Sequence, residues 1–171
     1  ALGGKPVIVE APADFVRELS VLVARRAGGE RVVYPVTETV QVDGICRETT
    51  TPAPGLSAEQ DLECGALAVR IADELDVVGV LAVELMQRAD SSVVVNELAM
   101  RPHNTGHWTI DGAVTSQFEN HLRAVADLPL GSPRARASVV VMANVLGGAK
   151  PDVLAELASV LAVDPEVRVQ L

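Results

Sequence analysis

"VVGVLAVELMQRADSSVVVNELA", residues 77–99, reads as two β-rich runs joined by a polar, turn-forming link, "QRADSS". A link this short makes the two runs an antiparallel hairpin. If strand 78–87 turns back on 93–99, the numbers of facing residues sum to 180 or 181, according to whether the loop has five or six residues. A sum of 181 sets Glu84 directly opposite Glu97, where like charges destabilise the pair. A sum of 180 makes Glu84 face Asn96 and sends Glu97 to the other side, because a slip of one residue flips every side chain. The sequence leaves both registers open.

Two readings of the carboxylates compete. On an exposed edge hairpin both would simply be solvated. The flanks "GVLAV" and "VVV" instead suggest central, buried strands, where an unpaired carboxylate is costly. A divalent cation would satisfy both groups, and hard oxygen ligands favour magnesium over zinc.

The elements on either side extend the pattern. "KPVIVE", residues 5–10, reads as a short strand, and "AGGE" joins Ser20–Arg25 to Arg31–Val36. "VDGI" is a hairpin signal, and the prolines around Ala53 end this section of sheet. Ser57 with Gln60 forms a capping box that opens a helix running to about Leu75. Ser116 with Glu119 forms another before "FENHLRAVADL", a helix on which His121 reads as structural. "ASVVVMANVLGG" is a further strand, and "PDVLAELASVLA" a helix with Pro151 in its first turn. Strands and helices interleave around several hairpins, which makes an α+β layered domain with a mostly antiparallel sheet.

Composition narrows the function classes. The 171 residues are 49% hydrophobic but only 2% aromatic, so the core is aliphatic. A net charge of −9 without a basic cluster speaks against nucleic acid and anionic lipid as partners. No apolar run approaches a membrane span, and the two cysteines, Cys46 and Cys64, lack metal-ribbon spacing. A soluble protein of a reducing compartment, the cytoplasm, is expected. Both ends read as cut, which suggests one portion of a larger protein.

Directly after the hairpin, "NELAMRPHNTGHWT" packs Asn96, Glu97, Arg101, His103, Asn104 and His107 into one short stretch. Arg101, ahead of a proline that forces extended or turn geometry, has the planar fork suited to a small anion. His103 and His107 have zinc-like helical spacing, but Pro102, Asn104 and Gly106 make the segment a loop. Its imidazoles and amide then suit a substrate group, with Gly106 allowing close backbone approach. Trp108 reads as a packing anchor.

The motifs "GVLAVEL", "NELAMRPHNTGHWTIDGAVTSQFENHLRAV" and "DLPLG" resemble the carboxy-terminal part of the ATP-grasp domain of the N5-carboxyaminoimidazole ribonucleotide synthetases, over roughly residues 5–150. The resemblance implies an ATP-grasp fold, with residues 1–147 forming part of that domain and 148–171 the start of another. It also implies ATP-dependent carboxylation of 5-aminoimidazole ribonucleotide with bicarbonate, through carboxyphosphate, by a magnesium-dependent homodimer of purine biosynthesis. Carried over by position, Glu84 and Glu97 would bind magnesium, with Asn96 beside them. Arg101 would hold bicarbonate or carboxyphosphate, and His103 and Asn104 would lie against the ribonucleotide or the anion, with His107 nearby. Glu10 and Ala11 would meet the adenine, Glu18 the ribose hydroxyls, and Gln41 the phosphate region.

Departures from the pattern are also visible. Ala99 stands where related carboxylases often place Asn, and Gln41 where family members can carry His. The only lysines are Lys5 and Lys150, and "GGKP" is not a phosphate loop. The isolated 171 residues are therefore expected to be inactive. A formate-dependent glycinamide ribonucleotide transformylase, with a loop resembling "RPHDTGM", is the nearest rival, and a non-catalytic ATP-grasp remnant the other.

Overall fold

The computed structural model describes residue 4, residues 6–147 and residues 153–170. Lys5, Lys150 and Pro151 lie outside the described residues. The seven strands are β1 (Arg17–Arg25), β2 (Arg31–Val33), β3 (Thr37–Val42), β4 (Ile45–Thr51), β5 (Gly79–Gln87), β6 (Val93–Ala99) and β7 (Val140–Ala143). The helices are α1 (Ala58–Glu74), α2 (Thr109–Gly112), α3 (Gln117–Val125) and α4 (Val153–Val163). The strands form one sheet in the order β6-β5-β1-β3-β4-β7, with β2 also paired to β1, and every pairing is antiparallel.

Local signals explain most boundaries. Ser57 Oγ accepts from Gln60 N at 3.2 Å while Gln60 Oε1 accepts from Ser57 N at 3.0 Å, so the capping box at the start of α1 is complete. The second box is half formed: Ser116 caps Glu119 N, but the Glu119 carboxylate turns along α3 to Arg123. Between β3 and β4, Asp43 and Gly44 both have positive φ, 53° and 74°, as a tight primed hairpin turn requires. The expected strand over 5–10 does not form across its described residues, 6–10, which have no regular structure. Its apolar side chains have nothing to pack against: Ile8 is 89% and Val9 88% exposed. The expected strand Arg31–Val36 stops at Val33, two residues before Pro35.

Alternation along β1 and β5 divides the core in two. Leu19, Val21 and Val23 with Leu81, Val83 and Leu85 pack under Cys64, Ala68 and Ala72 of α1. On the opposite face Leu22, Ala24, Val80 and Ala82 pack with Tyr34, Trp108 and Ala113. Trp108 is indeed an anchor, 3% exposed and edge-on to Tyr34 with ring centroids 6.2 Å apart. His121 is structural as expected, its Nδ1 accepting from Val80 N at 3.1 Å. Tyr34 Oη, Asn120 and Gly131 form a closed polar network that ties α3 to the loop beyond it. Among the described residues, no helix is long and apolar enough to cross a membrane.

One expectation about the central hairpin needs correction. β5 is central and buried, but β6 is an edge strand, with Val95 42% and Leu98 38% exposed. An apolar run does not by itself place a strand inside a sheet; the number of neighbours does.

Candidate active site

The hairpin contains both registers. From Ala82↔Ala99 to Glu84↔Glu97 the pairs sum to 181, and from Leu85↔Val95 to Gln87↔Val93 they sum to 180. A β-bulge separates the two halves, with Asn96 as the extra residue. Glu84 therefore faces Glu97 with Asn96 alongside.

On its other side Glu84 pairs with Ser20 of β1, and Glu18 lies two residues along that strand. These side chains share the sheet face that is only partly covered by α3 and the Trp108 region. The Glu84 carboxyl is raised above its ordinary value first by burial, then by the charges of Glu97 and Glu18, while a hydrogen bond from Asn96 opposes the shift. Burial raises Glu18 as well. Cys46 of β4, opposite Gln41 of β3, faces the same acids: burial, then Glu84 and Glu18, push its thiol up to about 11.

The segment after β6 folds back over this face. Its centre is not an open loop but a 3-10 turn, Asn104–Gly106, with α2 beginning after two further residues, His107 and Trp108. His103 Nε2 comes within 3.8 Å of Glu84 Oε1. Burial, then the Arg101 guanidinium, lower the imidazole's affinity for a proton, and Glu97 partly offsets this. Arg101 is exposed at the rim, its Nη1 donating to the Pro102 carbonyl at 3.1 Å. No ion pair engages it among the described residues. Asn104 Oδ1 accepts from Asn144 Nδ2 at 2.8 Å, and the same Nδ2 reaches the Cys46 carbonyl at 2.9 Å. His107 is exposed beside Phe118, ring centroids 5.8 Å apart, and partial burial lowers its affinity for a proton.

The structure thus brings together Glu84, Glu97, Asn96, His103 and Glu18, with Asn104 and Gln41 linked to them through Cys46 and with Arg101 at the rim. Glu10 and Ala11 stand apart, exposed in the irregular stretch before β1, and no hydrogen bond or ion pair attaches them among the described residues.

One residue that holds the site was not singled out from sequence. Gln117, fully buried at the start of α3, accepts from His103 N at 2.9 Å and donates to His103 O at 2.7 Å. Its partner is fourteen residues away, and no local pattern announces such a pairing. Gly106, expected to admit substrate, has a different role. A Cβ there would come within 2.5 Å of Gln117 Oε1 and of Leu22 Cδ2, so the glycine makes room for the protein's own packing.

The chemistry of the donor set points to a hard cation. Among the described residues there is no group of three or more His, Cys, Asp or Glu side chains able to enclose a metal. Two facing carboxylates and a neighbouring carboxamide are an incomplete cage for zinc, but they suit magnesium, which keeps waters and takes phosphate oxygens as its remaining ligands.

Comparison with known proteins identifies the family. An N5-carboxyaminoimidazole ribonucleotide synthase from Mycobacterium bovis is 53% identical over 171 residues, covering 98% of this chain. The chain spans 40% of that relative's length. The N5-carboxyaminoimidazole ribonucleotide synthetase of Thermus thermophilus superposes with a TM-score of 0.82 at 45% identity, covering 91% of this chain and 41% of that one. An Aspergillus clavatus N5-carboxyaminoimidazole synthase, solved with ADP and 5-aminoimidazole ribonucleotide, gives 0.80 at 38% identity, covering 88% of this chain and 40% of that one. Residues 1–118, well over half of the chain, match the ATP-grasp domain, and the protein belongs to that family.

Proposed function

We propose that this chain is part of an ATP-dependent carbon–nitrogen ligase of de novo purine biosynthesis. It would join bicarbonate to the amine of 5-aminoimidazole ribonucleotide, giving N5-carboxyaminoimidazole ribonucleotide, ADP and phosphate. The observation that carries the reading is the facing pair Glu84 and Glu97, with His103 and Arg101 brought to the same side by the turn that follows β6. The relatives named above support the choice of substrate.

Glu84 and Glu97, with Asn96, would hold magnesium. Bound there, the ion would relieve the repulsion between the two carboxylates and neutralise phosphate charge as ATP is cleaved. Arg101 is suited to bicarbonate, because a guanidinium offers two parallel donors to a planar anion. Carboxyphosphate would form from bicarbonate and the terminal phosphoryl group of ATP. His103 and Asn104 would orient the ribonucleotide or the anion passed to it, with His107 at the edge. Glu10 and Ala11 would meet the adenine, Glu18 the ribose hydroxyls, and Gln41 the phosphate region. We place residues 1–147 in the ATP-grasp domain and 148–171 at the start of a further one, within a cytoplasmic homodimer.

The deciding experiment measures phosphate release from ATP by the full-length protein. Turnover that needs both bicarbonate and 5-aminoimidazole ribonucleotide supports the reading. Dependence on formate and glycinamide ribonucleotide would select the rival ligase instead, and no turnover under either condition would favour a non-catalytic remnant.

A further inference from the structure

Two hydrogen bonds and one longer approach lead from the centre of the sheet to the carboxylate pair. Ser20 Oγ and Thr105 Oγ1 are 2.7 Å apart, Thr105 Oγ1 and His103 Nδ1 are 2.9 Å apart, and His103 Nε2 lies 3.8 Å from Glu84 Oε1. Ser20 and Thr105 are both completely buried. Gln117 pins the backbone of His103 through its N–H and its carbonyl, so the ring pivots from a fixed base.

Proton counting together with the carboxylate beside Nε2 sets the direction of this chain. A neutral imidazole carries one N–H, and each hydroxyl has one proton to give. An Nε2 lone pair aimed at a carboxylate oxygen would be repelled, whereas an Nε2–H would be attracted. With the proton on Nε2, Nδ1 must accept, and Thr105 is its donor. Thr105 Oγ1 can then accept from the Ser20 hydroxyl, which leaves no clash between donors. We infer that Thr105, backed by Ser20, is a positioning residue that fixes His103 as its Nε2–H tautomer, with that N–H turned toward the carboxylate pair.

The kinetic consequence rests on the role proposed above for His103; the tautomer itself does not. Full-length protein labelled with nitrogen-15 in histidine is examined by NMR without metal at mildly alkaline pH, where imidazoles are neutral. The His103 resonances are those lost in His103→Gln. The parent and Thr105→Ser are expected to show a protonated Nε2 and a bare Nδ1. Thr105→Val, similar in shape but without the hydroxyl, is expected to give a mixed or reversed tautomer. Its kcat should fall about 10- to 100-fold, as for a misplaced catalytic group, while KM for ATP changes little and the serine variant restores the rate. Ser20→Ala should shift the tautomer the same way to a smaller extent, and it serves as the test if the valine variant does not fold.

A parent with the proton on Nδ1, or a folded Thr105→Val protein that keeps the parent's tautomer, would overturn the inference. Full-length protein that shows the expected tautomers but no carboxylation would instead refute the proposed function and leave this assignment standing.

Discussion

Glu84 and Glu97 are direct cross-strand partners at the one place where the register of the β5–β6 hairpin slips. A regular ladder continued from the turn would have set Glu84 against Asn96 and turned Glu97 to the other face. The extra residue re-aims Glu97, so two acids converge where an uninterrupted hairpin would have separated them. Proximity of like charges on a partly buried surface is unfavourable in the protein alone, and the cation proposed between them would offset this cost.

That cost should be visible in stability against pH. Because burial first, and then the charges of Glu97 and Glu18, raise the folded-state carboxyl of Glu84 above the ordinary 4.5, its contribution to stability is fully present below that value and is lost as pH rises through the raised folded value. Without metal, urea midpoints of the parent should therefore decline over this interval more steeply than those of Glu84→Gln. At neutral pH the variant should be the more stable by a few tenths to about 1 kcal/mol, the usual size of a cross-strand charge effect. Parallel curves for the two proteins would mean that neither burial nor its acidic neighbours disfavour the charged form of Glu84.

If Glu97 holds magnesium as proposed, its loss should have the opposite effect on activity. In the full-length protein, Glu97→Gln is expected to reduce ATP turnover to near background through loss of magnesium coordination. Phosphate release within a few-fold of the parent at saturating magnesium would remove Glu97 from the metal site.

Arg101 has no carboxylate partner among the described residues and donates only to its neighbour's carbonyl. Arg101→Lys keeps the charge but discards the fork. Bicarbonate saturation is the quantity to follow: it should weaken while the KM for ATP stays close to that of the parent. An unchanged bicarbonate curve would assign the guanidinium elsewhere.

Gly106→Ala tests the packing beneath the turn. The added methyl would meet Gln117 Oε1 and Leu22 Cδ2 at 2.5 Å, so one or both must move. Overpacking of this kind costs about 1 to 3 kcal/mol, read as a lower denaturation midpoint. The same displacement should loosen the Gln117 clamp on His103 and depress kcat. A variant with unaltered stability would show that the turn has more slack than its contacts indicate.

The parts legible in the sequence are those governed by neighbours along the chain. The Ser57 capping box, the Asp43–Gly44 turn and the two arms of the central hairpin appear where residue type and spacing put them, because each depends on interactions a few residues long. The block from Asn96 to His107 was recognisable for the same reason: its chemistry is concentrated in one continuous stretch. Pro6–Glu10 shows the limit of such reasoning. Its apolar residues have strand character but no partner strand, and propensity without pairing leaves an exposed irregular segment.

Only the tertiary structure decided which face the acids share. A period-two pattern cannot record one extra residue, so the alternatives of 180 and 181 looked exclusive, yet a bulge allows each to hold on half of the hairpin. The edge position of β6, the grip of Gln117 on His103 and the hydroxyl chain through Thr105 and Ser20 likewise join residues far apart in sequence. Composition and order determined which chemical groups this protein has available. Competition among distant strands and side chains for the same hydrogen bonds and the same buried space determined which of those groups meet.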